Sequence, residues 1–421
     1  MQRSKAIFLD EVDPLQSYPA RFLISDPEVC YLDGNSLGRL PKDTITTIQK
    51  FLVNEWGSEV VEGWSTWVDE AETTGDLLGR SALGAAPGQT LVLDTTSVNL
   101  YQLAVASIKA RPNRRTIIID SANFPTDRYI MQGIADQFGL KLVIIDNENP
   151  DLSENELITA ELLEKYLNDD VALVSLQVVN YRGGCKQDIK QLTDLVRSQG
   201  ALLLWDAAHA IGSTELNFDA NGVDIAVGCT YKYGNSGPGA PAWIYVNRSV
   251  QEELHVPIQG WFAQENQFEM GPDFSRTTGM RGFQIASPSL LGLRSVQVAF
   301  SMIEEAGIEN IVKKCQIGTS LMIELFDEWL APLGFTLGTP RDPERRGGHL
   351  ALKHQDAEVI ARAMRTEVKV IPDFRAPDVI RVAISPLTNS YEEIYEGFLR
   401  IKNLVESKSY HNVSNSDSRV R

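Results

Sequence analysis

Two short segments carry the residue types that could do chemistry. Leu202-Leu-Leu-Trp-Asp-Ala-Ala-His209 is an apolar run that ends in an acid, with a histidine three residues later. A second apolar run, Asp224 to Cys229, leads into Thr230-Tyr-Lys-Tyr-Gly-Asn235, a lysine between two tyrosines. A carboxylate at the end of an apolar strand is costly unless a cation meets it. A buried lysine has its pKa lowered, so that it can act as a nucleophile and then as a base. Together the two groups match what pyridoxal phosphate asks of a protein: a carboxylate beside the ring nitrogen, which keeps the ring an electron sink, and an amine that bonds to the aldehyde carbon. Asp206 and Lys232 are the candidates. Each also has a plainer reading, Asp206 as a helix cap and Lys232 as a solvated lysine before the turn Gly234-Asn-Ser-Gly-Pro-Gly239.

Other residues could complete such a site. His209 is placed to hydrogen-bond the ring hydroxyl of the cofactor or the Asp206 carboxylate, unless it is a satisfied core histidine. Asp94-Thr-Thr-Ser-Val-Asn99 follows one apolar run and opens a helical pattern. Its hydroxyls and backbone N–H groups make a phosphate site, with Thr96 and Ser97 as the chosen pair. Phe124, in Asn123-Phe-Pro-Thr-Asp127, offers a face for a flat ring, or else packs in the core, and Asp127 lies just behind it. Arg381, in the alternating run Val379-Ile-Arg-Val-Ala-Ile-Ser-Pro386, could grip a carboxylate through two parallel hydrogen bonds; a surface ion pair is the duller reading.

The elements that must position these residues are legible as a rhythm. Short β-branched runs at Thr90–Leu93, Thr116–Ile119, Lys141–Ile145, Val171–Leu176, Ala201–Trp205, Asp224–Val227 and Pro241–Val246 alternate with amphipathic stretches. That pattern predicts an α/β fold with a mostly parallel sheet covered on both faces, and ligands gather at the carboxyl ends of such strands. Residues 1–45, rich in turn formers around Tyr31-Leu-Asp-Gly-Asn-Ser-Leu-Gly38, read as an arm. Residues 46–288 read as the large domain. Residues 289–404 read as a smaller α+β domain packing with the arm, with helical stretches Leu290–Ala306 and Ile311–Leu330 and strands near Gly348–Leu352 and Val379–Ile384. Residues 405–421 read as a frayed polar tail.

Bulk properties exclude several classes. With 421 residues, 43% hydrophobic and 23% charged, the chain is that of a globular protein, and it has no apolar run of membrane-spanning length. A formal charge of −17 argues against a nucleic-acid partner. No Cys-x-x-Cys or His-Glu-x-x-His is present and there are only five histidines, so no metal site is expected. Four scattered cysteines and no secretory signal predict free thiols in the cytoplasm.

Taken in order, the motifs resemble those of the kynureninases, within the fold-type I pyridoxal-phosphate enzymes. The resemblance runs from about Leu9 to Leu404. It rests on Tyr31-Leu-Asp-Gly-Asn-Ser-Leu-Gly38, Asp94-Thr-Thr-Ser-Val-Asn-Leu100, Asn123-Phe-Pro-Thr-Asp127, Val179-Asn-Tyr-Arg182, Trp205-Asp-Ala-Ala-His209, Cys229-Thr-Tyr-Lys-Tyr233, Gly237-Pro-Gly-Ala240, Gly260-Trp-Phe262 and Arg381-Val-Ala. It implies the fold-type I architecture, a large domain on a mostly parallel seven-stranded sheet plus a smaller α+β domain. It also implies Lys232 as the lysine that carries pyridoxal phosphate, Asp206 as partner of the ring nitrogen and His209 as a neighbouring contact. Thr96, Ser97 and Tyr231 would hold the phosphate, with Phe124 stacked on the ring and Asp127 beside it. Arg381 would bind the substrate carboxylate, with Asn35 and Trp64 as further substrate contacts. Trp261 and Ser287 would reach the cofactor across the interface of a homodimer. The implied reaction is hydrolysis of the Cβ–Cγ bond of L-kynurenine or 3-hydroxykynurenine, giving anthranilate or its 3-hydroxy form and L-alanine.

The chain departs from bacterial members of that family in four places. Gln177-Val178 stands where Thr-His is usual, Ala263-Gln264 where Gly-His is common, and Thr388 replaces a tyrosine. Glu70-Ala-Glu-Thr-Thr74 replaces an arginine-rich stretch. These departures keep other substrates in view, a substituted kynurenine or another β-substituted amino acid. A cysteine desulfurase or aminotransferase, or a silent scaffold, is a more distant alternative.

Overall fold

A computed structural model describes residues 3–147 and 157–413. Among them, the strands are β1 (Cys30–Tyr31), β2 (Thr90–Val92), β3 (Thr116–Asp120), β4 (Lys141–Ile145), β5 (Val171–Gln177), β6 (Leu202–Asp206), β7 (Ile225–Gly228), β8 (Trp243–Val246), β9 (Thr336–Leu337), β10 (His349–Lys353), β11 (Val370–Ile371), β12 (Asp373–Arg375) and β13 (Val379–Ala383). Each of the seven apolar runs read from the sequence is a strand of one sheet, in the order β2-β8-β7-β6-β5-β3-β4. Its pairs are parallel except around β8, which runs antiparallel to both β2 and β7.

Alternation along the strands sends successive side chains to opposite faces, and both faces are buried. Ile117, Ile119, Leu202 and Leu204 join one core, while Ile118, Leu203 and Trp205 join another on the other side. Covering helices start where the sequence allows. The helix Thr96–Ala110 is capped by the Thr95 side chain, which accepts from Val98 N. The helix Pro125–Phe138 begins on a proline and ends at Gly139, whose left-handed φ of 61° suits a residue without a Cβ.

A third core surrounds the four-stranded sheet β12-β13-β10-β9 and the helices Ile308–Leu325, Ala357–Glu367 and Tyr391–Glu406. The boundary expected at residue 289 is not where the cores part. The helix Leu290–Ala306 buries Leu293, Val296, Phe300 and Ile303 in a core of the seven-stranded sheet, so the change of packing comes one helix later.

The arm differs from expectation too. Arg3–Glu11, for which the sequence pattern predicts no element, is helical, and Asp10 accepts from the backbone N–H groups of Tyr391 (2.7 Å) and Glu392 (2.9 Å) at the start of the last long helix. Further on, Leu15, Tyr18 and Phe22 enter a large-domain core, and Asp13 forms a buried ion pair with Lys314 at 2.7 Å. At the other end, the expected fraying does not begin at residue 405: Tyr410 is buried in the third core and its hydroxyl donates to Asp356 at 3.2 Å. The rest of the tail, 414–421, lies outside the described residues. Among the described residues no helix is long and apolar enough to cross a membrane, and all four cysteines are buried with free thiols.

Candidate active site

The carboxyl edge of the parallel strands opens into a cavity of about 350 Å³, within the roughly 300–1,000 Å³ of small-molecule sites. Four strand ends supply its floor. Gln177 closes β5, Asp206 closes β6, Cys229 to Lys232 follow β7, and Asp127 comes from the first turn of the helix after β3. Thr96 and Ser97 sit at the start of the helix after β2, where unpaired backbone N–H groups favour an anion. Thr95, not either of them, makes the cap, so both hydroxyls remain for the cavity.

Lys232 Nζ lies 2.9 Å from His209 Nε2. Burial, and then the Lys232 charge, hold the imidazole well below its ordinary pKa, so it faces the amine neutral. His209 therefore pairs with the lysine and not with the Asp206 carboxylate, as the sequence had allowed. The Asp206 carboxylate accepts from Ala208 N at 2.8 Å and from Gln177 Nε2 at 3.3 Å. No helix starts after Asp206, so the helix-cap reading does not hold; its Oδ1 closes a local turn instead. Burial raises Asp206, while Lys232, the Ala208 N–H and Gln177 pull it back. Asp127 is raised well above the usual carboxylate range by burial and then by the Asp206 charge, and its Oδ2 has no hydrogen-bond partner.

Phe124 lines the cavity with its ring edge-on to Tyr181, centroids 5.2 Å apart. Tyr231 lines it as well; the neighbouring Cys229, and then burial, raise its phenol, so it remains a hydrogen-bond donor. The other end of the cavity belongs to the second sheet and the arm. Arg381, in β13, is not a surface ion-pair residue. Its strand lies between β12 and β10 with every residue buried, and its side chain is 1% exposed. Its Nε donates to Asp373 at 2.7 Å and its Nη2 to Ser36 Oγ at 3.2 Å. The Asn35 amide, turned so that its oxygen faces Arg381, accepts from the guanidinium at 3.3 Å.

Trp64, expected at the substrate, does not line this cavity; it packs edge-to-face with Trp67 and Phe262. Trp261 and Ser287, expected to serve the cavity of a second copy, do not line it either: Trp261, in the short helix Trp261–Ala263, is 43% exposed, and Ser287 is exposed. Trp261 also packs against the exposed Phe268, ring centroids 6.2 Å apart. Conversely, Gln177 and Arg375 line the cavity and were not read as site residues. The signal for Gln177 was its place as the last residue of a buried strand. Of the departures, Gln264 accepts from Ser275 N at 2.7 Å, Thr388 is buried, and the acidic stretch is neutralised from elsewhere, Glu70 by Arg294 and Glu72 by Arg281.

These residues fit pyridoxal phosphate. Two buried carboxylates, one with an oxygen lacking any partner, call for a cation such as a ring N–H⁺. A helix start with two hydroxyls suits the phosphate, and the Lys232 amine lines the same cavity.

Comparison with known proteins agrees. In structure the chain is similar to a cysteine desulfurase from Thermococcus onnurineus (TM-score 0.75, 19% identity, covering 90% of this chain and 95% of that one) and to one from Escherichia coli (TM-score 0.76, 16% identity, 94% and 99%). At that identity the likeness shows the fold. Cys315, the thiol weighed for a desulfurase, is buried in a helix where burial pushes it up to about 12. In sequence the chain is 35% identical over 419 residues to a kynureninase of Geobacillus thermodenitrificans (97% of this chain, 95% of that one) and 31% identical over 416 residues to one of Pseudomonas fluorescens (97% and 96%). One of Bacillus anthracis is 32% identical over 421 residues. The profile of the kynureninase C-terminal domain matches residues 311–400. Matched along nearly its whole length by relatives above 30% identity, the chain belongs to the kynureninase family.

Proposed function

We propose that this protein is a pyridoxal-phosphate-dependent hydrolase that cleaves the Cβ–Cγ bond of L-kynurenine, with 3-hydroxykynurenine as the second substrate to be tested. The observation that carries the reading is that one cavity holds the Lys232 amine, the Asp206 carboxylate and the Arg381 guanidinium, in a chain related to kynureninases over its full length. The bound cofactor supplies an electron sink for charge that develops on the carbons next to the amino group.

The chain's own groups do the rest. Lys232 would hold the cofactor, and its amine would move the proton of the substrate's Cα. Neutral His209, 2.9 Å away, hydrogen-bonds that amine without competing for charge. Asp206 keeps the ring nitrogen protonated, and Thr96, Ser97 and Tyr231 hold the phosphate. Phe124 covers the ring, with Asp127 beside it. Arg381 and Asn35 orient the α-carboxylate. In the net reaction, water adds its oxygen to the γ-carbonyl carbon, which leaves as the anthranilate carboxylate, and a proton ends on the β-carbon, completing alanine.

The homodimer belongs to the same proposal. Trp261 and Ser287 are exposed and do not line their own chain's cavity, which supports a role at the cavity of a second copy. The enzyme is placed in the cytoplasm, where four buried free thiols persist. The test is turnover of L-kynurenine and 3-hydroxykynurenine, side by side, by purified protein loaded with pyridoxal phosphate. Release of alanine and the matching anthranilate, abolished by Lys232→Ala, supports the reading. No cleavage of either substrate by loaded protein overturns it and turns the search to other β-substituted amino acids.

A further inference from the structure

The carboxylate end of the cavity holds two guanidinium groups. Arg381 is heavily committed: Nε and Nη2 both donate to Asp373, Nη2 also reaches Ser36, and Nη1 donates to the Tyr181 carbonyl. A guanidinium has five N–H donors, so little of the Arg381 fork is left for a bidentate grip on a substrate. Its charge is also spoken for, because Asp373 lies against it.

Arg375 is placed differently. It stands two residues after Asp373 on β12, hence on the same face of that strand, and β12 pairs with β13 so that Asp373 lies directly opposite Arg381. Arg375 Nη2 is 3.1 Å from Asp373 Oδ2, and its side chain is 39% exposed against 1% for Arg381. Its Nε is buried and meets no acceptor among the described residues, yet the residue lines the cavity beside Arg381, Asn35 and Ser36. A buried N–H without an acceptor is costly, and a ligand oxygen is one way to satisfy it.

The charges point the same way. Asp373 and Asp33 face Arg381 from β12 and from the arm, and Arg365, whose guanidinium rests on the Pro372 carbonyl, also acts on Asp33. Two carboxylates against Arg381 and Arg365 make a neutral cluster, which gives an incoming carboxylate no net attraction. Arg375 makes it positive by one.

We propose that Arg375 is a second carboxylate-binding residue of this subsite, supplying the net charge and the free donor that Arg381 lacks. Arg381 then sets the position, and Arg375 the preference for an anion over a neutral group. The inference rests on the carboxylate reading of the Arg381 end, but not on the identity of the aryl group.

The test is equilibrium binding of L-alanine and L-alaninamide to the cofactor-loaded protein, followed by the absorbance of the bound cofactor, with kcat and KM for kynurenine measured alongside. Arg375→Gln is expected to weaken alanine by about tenfold or more, as for loss of one charge-assisted hydrogen bond. Alaninamide should change by less than about twofold, KM should rise more than kcat falls, and Arg375→Lys should keep alanine within about threefold of wild type. Alanine binding unchanged in Arg375→Gln, or alanine and alaninamide weakened equally, overturns the proposal. Arg375→Met gives the same two readings if the glutamine variant does not fold. A wild-type protein that prefers alanine to alaninamide but cleaves no kynurenine would sink the proposed reaction and leave the role of Arg375 standing.

Discussion

The two ends of the cavity are built from opposite surpluses. At the floor, Asp127 and Asp206 are both buried and face one amine, and each has its carboxyl pushed up by the loss of water. At the far end, Arg381 and Arg375 share Asp373. The first end is short of a cation and the second has room for an anion. A ring N–H⁺ would suit the first end and a substrate carboxylate the second, so the charges of the two ends favour one orientation of bound ligand. The floor comes from strand ends of one parallel sheet, whereas the far end is assembled from the arm and an antiparallel sheet more than a hundred residues later.

The largest effect that can break this comparison is at the amine. Lys232→Ala should reduce turnover by at least about 10³-fold, because it removes both the covalent anchor and the proton carrier. Steady-state turnover at saturating cofactor checks it, and retention of more than a tenth of the activity would place the chemistry elsewhere. Next is the contrast between the two carboxylates. Burial raises both groups, but Asp206 is drawn back by Lys232, the Ala208 N–H and Gln177, while Asp127 has an oxygen with no partner and bears the repulsion of Asp206. The charge of Asp206 is therefore the better supported of the two, and that of Asp127 the costlier. Asp206→Ala should therefore cost about 10²–10³ in kcat, and Asp127→Asn, which imitates the protonated form, about tenfold or less. In the cofactor-free protein Asp127→Asn should raise Tm, since it relieves a buried repulsion; equal losses of activity and a lower Tm would show that the two acids share the role.

The two ends were unequally legible in the sequence. An apolar run that stops at Asp206, and another that stops before Lys232, place both residues at the carboxyl edge of a parallel sheet by periodicity alone. Gln177 ends β5 in the same way, but an amide in a strand of valines and leucines gives no hint that a carboxylate waits on the next strand. The far end depends on register between distant segments. Pro372 and Pro377 bracket Asp373–Arg375, so the stretch does not read as a strand, and only its pairing with β13 brings Arg375 to Arg381. For Arg381 the sequence left a carboxylate grip and a surface ion pair both open. Its burial follows from being on the central strand of a sheet covered by helices. The first helix was missed for a similar reason: Asp10 caps a helix that begins some 380 residues later, and no local signal reports that.

The smallest effect tests whether the far end carries strain of its own when no ligand is involved. Asp33, 9% exposed on the arm, is raised to about 6 by burial and then by the neighbouring Asp373, against the pull of Ser36, Arg381 and Arg365. The ordinary aspartate value is near 4, so between about pH 4 and 6 the folded protein holds a proton there that the unfolded chain has released. Protons bound in excess by the folded state make stability fall as pH rises. This group therefore favours the fold below about pH 4, loses that contribution progressively up to about 6, and is a fixed cost at neutral pH. Asp33→Asn removes the ionisation and keeps the shape. Its Tm, relative to wild type, should gain more at pH 7.5 than at pH 4.5. A gain that is the same at both values, or larger in acid, would mean that Arg381 and Arg365 already neutralise Asp33, and that the anion deficit of the far end is smaller than its two shared guanidinium groups imply.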